Sequence, residues 1–213
     1  MMYLCIMDQT RKEEFWNAMS HGVGIILGII GLVFLLLTDS DKTPYSTLSI
    51  ILYAISVIVL FSASTIYHAV EDLELKQMWR KADHISIYFL IAGTYTPVSL
   101  ITLENGSGWL IFGVVWAVAI LGTVLKVFFT GKYEIFSLLL YLFMGWLIIF
   151  DIQDLIANVS QLGLNLLMLG GAFYTLGTVF YAIKKIPYNH VIWHFFVLGG
   201  AVSHYFFILL EVI

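Results

Sequence analysis

Apolar residues in this chain fall into seven long runs divided by short polar gaps. A helix that crosses the hydrocarbon of a bilayer needs roughly 17–25 mostly apolar residues. Seven runs meet or approach that length. They predict spanning helices at about 20–37, 45–68, 84–103, 109–129, 134–150, 163–183 and 190–211. The gaps at 38–44, 70–83, 104–108, 130–133, 151–162 and 184–189 carry the turn and charge signals. No gap is long enough for a second domain, and no solenoid period or low-complexity tract interrupts the pattern. The expected architecture is an all-α membrane protein. It is a seven-transmembrane helix bundle over 20–213, preceded by a short cytosolic segment, 1–19.

Composition agrees that the solvent is a bilayer rather than water. Hydrophobic residues make up 61% of the 213 and charged residues 11%, whereas soluble domains carry about 25% charged residues. A water-soluble fold has no place to bury that much apolar surface. The net charge is −4, and no basic patch points to nucleic acid. Membrane lipids are the expected partners, and nothing in the sequence fixes an oligomeric state. The single cysteine, Cys5, excludes an intramolecular disulfide and a cysteine metal cage. The first apolar run, 1–7, is short, and no small-residue cleavage pattern follows Gly31. The first long helix is therefore read as retained rather than cleaved.

The lysines and arginines orient the bundle, because cytosolic loops are enriched in them. With the N-terminus inside, Arg11, Lys12, Lys76, Arg80, Lys81, Lys126, Lys132, Lys184 and Lys185 fall on the cytosolic side and only Lys42 outside. An even number of spans breaks this partition. The asymmetry thus supports both the count and the direction, and it sends the C-terminus outward. Small residues mark close helix contacts: Gly24-x-x-x-Gly28 and Gly31 in the first span, Gly199 and Gly200 in the last. Pro97 is expected to kink the third span or to end its regular part.

Ionisable residues in or near hydrocarbon are costly and so mark candidate sites. The topology sets five of the six histidines at one membrane level: His21, His68, His84, His190 and His194. His204 lies deeper, about 15 Å beyond His194 at ~1.5 Å per residue, and reads as a hydrogen-bonded interhelical residue. His190-x-x-x-His194 puts two imidazoles on one helix face, a two-point metal clamp. A third imidazole from His68 makes a three-histidine set with one position open, the pattern of a catalytic rather than a structural zinc site. Asp83 is then placed to hold or deprotonate water, and Ser64, one turn before His68, to orient it or a substrate carbonyl. Glu14, Asn17 and His21 form a polar stripe on the first helix. Plainer readings stand beside each of these. Asp83 suits a helix N-cap, Ser64 a bond to its own helix, and the Glu14 stripe a solvated turn ahead of the membrane.

The series Glu14-x-x-Asn17-x-x-x-His21, Ser64-x-x-x-His68, Asp83 and His190-x-x-x-His194, with the stretch from Ile91 to Pro97, resembles the hemolysin III group. That group belongs to the PAQR (progestin and adipoQ receptor) family, and the resemblance runs from about Glu14 onward. It implies seven helices with a cytosolic N-terminus. It also implies a Zn²⁺ ion held in the inner leaflet by His68, His190 and His194, as in the adiponectin receptors, with Asp83 and Ser64 near the zinc-bound water. Relatives are linked to ceramide hydrolysis, and bacterial members to hemolysis and membrane homeostasis. The N-terminal segment here is only about twenty residues and the outer loops are short, unlike the receptor branch, so no protein hormone is expected as a partner.

Three functional classes follow from this reading. The leading one is zinc-dependent hydrolysis of a lipid amide or ester, ceramidase-like, near the cytosolic leaflet of the plasma membrane. The second is a non-enzymatic hemolysin or membrane-homeostasis protein in which zinc is structural. The third is an ion or proton transporter, which the lack of acidic residues near the midplane disfavours.

Overall fold

The computed structural model describes residues 9–213; Cys5 and the rest of the first eight residues of the expected N-terminal segment lie outside the described residues. Among the described residues every regular element is helical. In order these are α1 (Arg11–Thr38), α2 (Ser46–Ala69), α3 (Leu73–Pro97), α4 (Gly108–Phe129), α5 (Glu134–Gly145), α6 (Ile152–Asn158), α7 (Gln161–Ala182) and α8 (Asn189–Phe207). Seven helical segments are long and apolar enough to cross a membrane. Five of them are α1, α2, α4, α7 and α8 with its terminal π turn, Ile208–Val212. The third is α3 plus a π turn, Val98–Thr102, and the fifth joins α5 to α6 through a 3₁₀ turn, Leu147–Asp151. The protein is thus a multi-pass integral membrane protein. The outward side chains require the same solvent: Leu37 and Phe150 are 78% and 82% exposed.

Hydropathy underestimates three helices. The first begins at Arg11 rather than near residue 20. Thr10 caps it, accepting from Glu13 N–H while Glu13 reaches back to the Thr10 backbone. Such a reciprocal pair satisfies two end donors and lets a helix start in water, ahead of the hydrocarbon. The third begins at Leu73 rather than residue 84, with the Asp72 carboxylate accepting Leu75 N–H at 2.9 Å. Asp83 is therefore interior to α3 and not its cap, which removes the plainer reading of that residue. The fifth continues past residue 150 to Asn158.

Pro97 ends the α geometry of α3, as expected, and the π turn follows directly. Proline has no N–H for the bond to the carbonyl four residues back, so the ladder must change there. Tyr95, two residues earlier, also secures the break in the fifth span. Its hydroxyl donates to Gly145 O and accepts from Ile148 N–H, both at 2.9 Å. Backbone groups freed inside a membrane need such partners.

Glycines set the close contacts. A Cβ at Gly24 would come within 2.6 Å of the Phe61 ring, and one at Gly31 within 2.8 Å of Tyr205. At these positions the first helix comes close to α2 and α8 because side chains are missing. Gly199 and Gly200 lie against Phe173 and Tyr174 of α7, so α8 packs between α1 and α7. His204 is interhelical as expected, with Nε2 3.3 Å from Leu167 O. Ion pairs gather at one end of the bundle: Arg11–Glu71 at 3.8 Å, Lys76–Glu14 at 3.0 Å and Lys126–Glu134 at 2.8 Å. At the other end Lys42 Nζ donates to the carbonyls of Glu211 and Val212.

Candidate metal centre

Three histidines from two distant parts of the sequence converge at the charged end. His68 closes α2, and His190 and His194 occupy the first turns of α8. Each offers one ring nitrogen, and the three nitrogens lie within 4.8 Å of one another. The ring centroids are 4.7–5.1 Å apart. His68 and His194 are 4% and 1% exposed.

Hydrogen bonding fixes which nitrogen is left free in two of the rings, His68 and His194. His68 Nδ1 is 2.6 Å from Glu14 Oε2. His194 Nδ1 is 3.2 Å from Asn17 O, with Ser20 Oγ at 3.4 Å. A carboxylate and a carbonyl only accept, so each Nδ1 carries the proton and each Nε2 keeps its lone pair. Nε2 of His68 and of His190 are buried with no hydrogen-bond partner. Buried polar atoms without partners are rare in folded proteins and call for an explanation. A cation held between these two nitrogens and the His194 ring supplies one. Ligand histidines characteristically give their other N–H to a carboxylate or backbone carbonyl, as His68 and His194 do here. The donor set fits zinc.

The sequence builds this arrangement from three helix ends. The early start of α1 carries Glu14 and Asn17 up to the histidines. The early start of α3 brings in Lys76, whose Nζ donates to Glu14 Oε1 at 3.0 Å and to Tyr67 O at 3.0 Å. Its side chain is only 7% exposed. Tyr188, in the left-handed region at φ 55°, turns the chain into α8, and Asn189 Nδ2 donates to Phe180 O at 2.9 Å. That bond ties the first turn of α8, and so His190, to the end of α7.

The other candidates divide. Ser64 lies one turn before His68, 1% exposed, and its hydroxyl has no well-formed hydrogen bond. Asp83 is its electrostatic neighbour across from α3. His21 stacks on His194, with centroids 3.6 Å apart and planes 9° from parallel, yet is not one of the three converging rings. Asn17 serves through its backbone carbonyl, while its side-chain amide donates to Gln9 Oε1 at 2.6 Å. His84 lines the same cavity as His190 but is not one of the converging rings. It turns to Glu134, Nδ1 to Oε2 at 3.8 Å, and stays outside the cluster. Glu134 also binds Lys126 and Gly131 N–H. Lys76, Lys126 and Glu134 were not legible as site residues. Lys76 fell in a stretch read as loop, and helix contacts that join residues far apart in sequence leave no local pattern.

Two cavities lie in this part of the bundle, and one of them reaches the triad. A polar one of about 470 Å³ reaches Glu14 and His190 and extends to Arg80, His84 and Glu134. An apolar one of about 110 Å³ lies among α3, α5, α7 and α8, walled by Ile91, Tyr141, Trp146 and Trp193. Leu138 lines both.

The Glu14 contact gives a direct prediction. Glu14→Gln keeps the size of the side chain but removes the charge that holds His68 Nδ1–H. Metal affinity, measured by competition with a chelator, is expected to fall roughly 10- to 100-fold, the usual cost of losing an outer-shell partner. Unchanged affinity would show that Glu14 does not orient the ligand.

The chain was compared with known proteins. A family model described as haemolysin-III related matches residues 9–205. Hemolysin-3 of Bacillus cereus is 40% identical over 208 residues, covering 97% of this chain and 95% of that protein. A hemolysin-3 homolog of Bacillus subtilis (strain 168) is 41% identical, covering 94% of both. The human monocyte to macrophage differentiation factor is 30% identical, covering 92% of this chain and 83% of its own. With its seven spans and matches along almost its whole length, this chain belongs to the haemolysin-III-related family, in the PAQR group.

Proposed function

We propose that this protein is a zinc-dependent hydrolase of a lipid amide or ester, acting at the cytosolic end of the bundle. The observation that carries the reading is the convergence of three imidazoles, of which His68 and His190 have an Nε2 without a partner and His68 and His194 have an Nδ1 that is held. His68, His190 and His194 would hold the ion. Bound zinc supplies Lewis acidity, polarising a carbonyl and making water nucleophilic near neutral pH.

The chain's own groups divide the remaining work. Asp83 takes the proton released when water attacks, a general-base role for a carboxylate near the reacting atoms. Ser64, beside Asp83 and one turn before His68, orients the water or donates to the substrate carbonyl. The apolar cavity takes acyl chain and the polar cavity takes headgroup, with Leu138 at their join. The cytosolic placement follows from the nine basic residues assigned to that side.

Elemental analysis of the purified protein, combined with a turnover assay on lipid amides and esters, tests the reading. Stoichiometric zinc is expected, with turnover lost on chelation and restored by zinc. Chelation that strips zinc without changing turnover would refute it. A second reading has one observation in its favour: the triad draws on both α2 and α8, so a structural ion would tie these helices together. Dye leakage from liposomes holding the protein, without lipid turnover, would favour that non-enzymatic, hemolysin-like class.

A further inference from the structure

The polar cavity beside the triad has more room than water and a carbonyl need, and its charged groups are held at different distances. Its two carboxylates are already engaged. Glu14 accepts from Lys76 Nζ at 3.0 Å and His68 Nδ1 at 2.6 Å. Glu134 accepts from Lys126 Nζ at 2.8 Å and Gly131 N–H at 3.0 Å. The two lysine side chains are 7% and 2% exposed, so the lysine end of each pair is buried. Asp83 does not line the cavity and lies by Ser64.

Arg80 is the exception. It lines the cavity with its side chain 20% exposed, and its contact with Glu134 is 3.7 Å, too long for a hydrogen bond. A guanidinium has five N–H donors in a planar fork that matches phosphate oxygens two at a time. Lys184 brings a second positive charge to the wall from the turn between α7 and α8. Both cations line the same cavity as His190, so an anion between them would sit beside the triad. Asn189 and Tyr181 add polar groups to the same wall.

We infer that this cavity is a subsite for a phosphate group, gripped by Arg80 and Lys184, so that the lipid engaged here carries a phosphate headgroup rather than the neutral headgroup of a ceramide. The identity of the neighbouring carbonyl rests on the zinc-hydrolase reading; the phosphate contact does not. The acyl chain of such a lipid would pass Leu138 into the apolar cavity while the phosphate stays at the polar end.

The test measures binding to the full chain in neutral detergent. The probes are short-chain phosphatidic acid, the diacylglycerol with the same acyl chains, a short-chain ceramide and inorganic phosphate. The wild type is expected to bind phosphatidic acid at least about tenfold more tightly than either neutral lipid. Arg80→Gln should weaken phosphatidic acid roughly 10- to 100-fold, the loss of a charge-assisted contact, with diacylglycerol binding and zinc content unchanged. Lys184→Gln, in an exposed turn, should act in the same direction and guards against an Arg80 variant that misfolds. Competition by inorganic phosphate would mark the phosphate itself as the ligand; Arg80 dependence without competition would mark the lipid. Equal affinity of the wild type for phosphate and neutral lipids, or a preference unchanged in both variants, would overturn the inference. Zinc content separates the two readings. Protein that shows the Arg80-dependent preference but binds no zinc would retain the subsite and lose the hydrolase.

Discussion

Alanine at His190 or His194 is expected to reduce bound zinc to a trace and to abolish lipid turnover. Removing only an outer-shell partner costs about 10–100-fold in metal affinity, and removing one of three ligands costs more. The two residues sit one turn apart on α8, so neither can replace the other, and among the described residues there is no cysteine to substitute. His21 stacks flat on His194 and is not in the converging set. Elemental analysis after dialysis, with a size-exclusion profile to show that the bundle is intact, checks this. Stoichiometric zinc retained by either variant would refute the ligand assignment.

Asp83→Asn is expected to separate binding from chemistry. The change keeps shape and removes basicity. Turnover should fall about 10²- to 10⁴-fold, the usual range for a general base, while zinc content stays at the wild-type level because Asp83 is not among the converging ligands. The side chain is interior to α3 and 8% exposed, so the variant's melting temperature must be measured alongside. A variant that turns over lipid at the normal rate would remove Asp83 from the mechanism. A variant that loses zinc would instead make it part of the metal site.

Much of this could be read before any coordinates. The seven apolar runs gave the span count, because a bilayer demands a fixed length of apolar helix whatever the packing. The periodicity of a helix alone placed His190 and His194 on one face and Ser64 above His68. Alternating topology then put His21, His68, His190 and His194 at one depth. It also put His84 there, and depth was insufficient for that residue. Being at the right level does not say toward which neighbour a ring turns, and His84 turns to Glu134.

Helix starts were the weakest part of the sequence reading. The charged turns of α1 and α3 look like loop to a hydropathy argument, yet capping by Thr10 and Asp72 makes them helix. These turns hold Glu14 and Lys76, which form the chain of contacts behind His68.

The sequence by itself determined that this protein crosses a membrane seven times and that five of its six histidines fall at one level, since both follow from apolar length and helical repeat. Only the tertiary structure decided which rings meet, which nitrogen of His68 and of His194 is left free, and which lysine balances which carboxylate. Those are distances between helices far apart in the chain, and they depend on where glycines let backbones approach and where caps let helices begin.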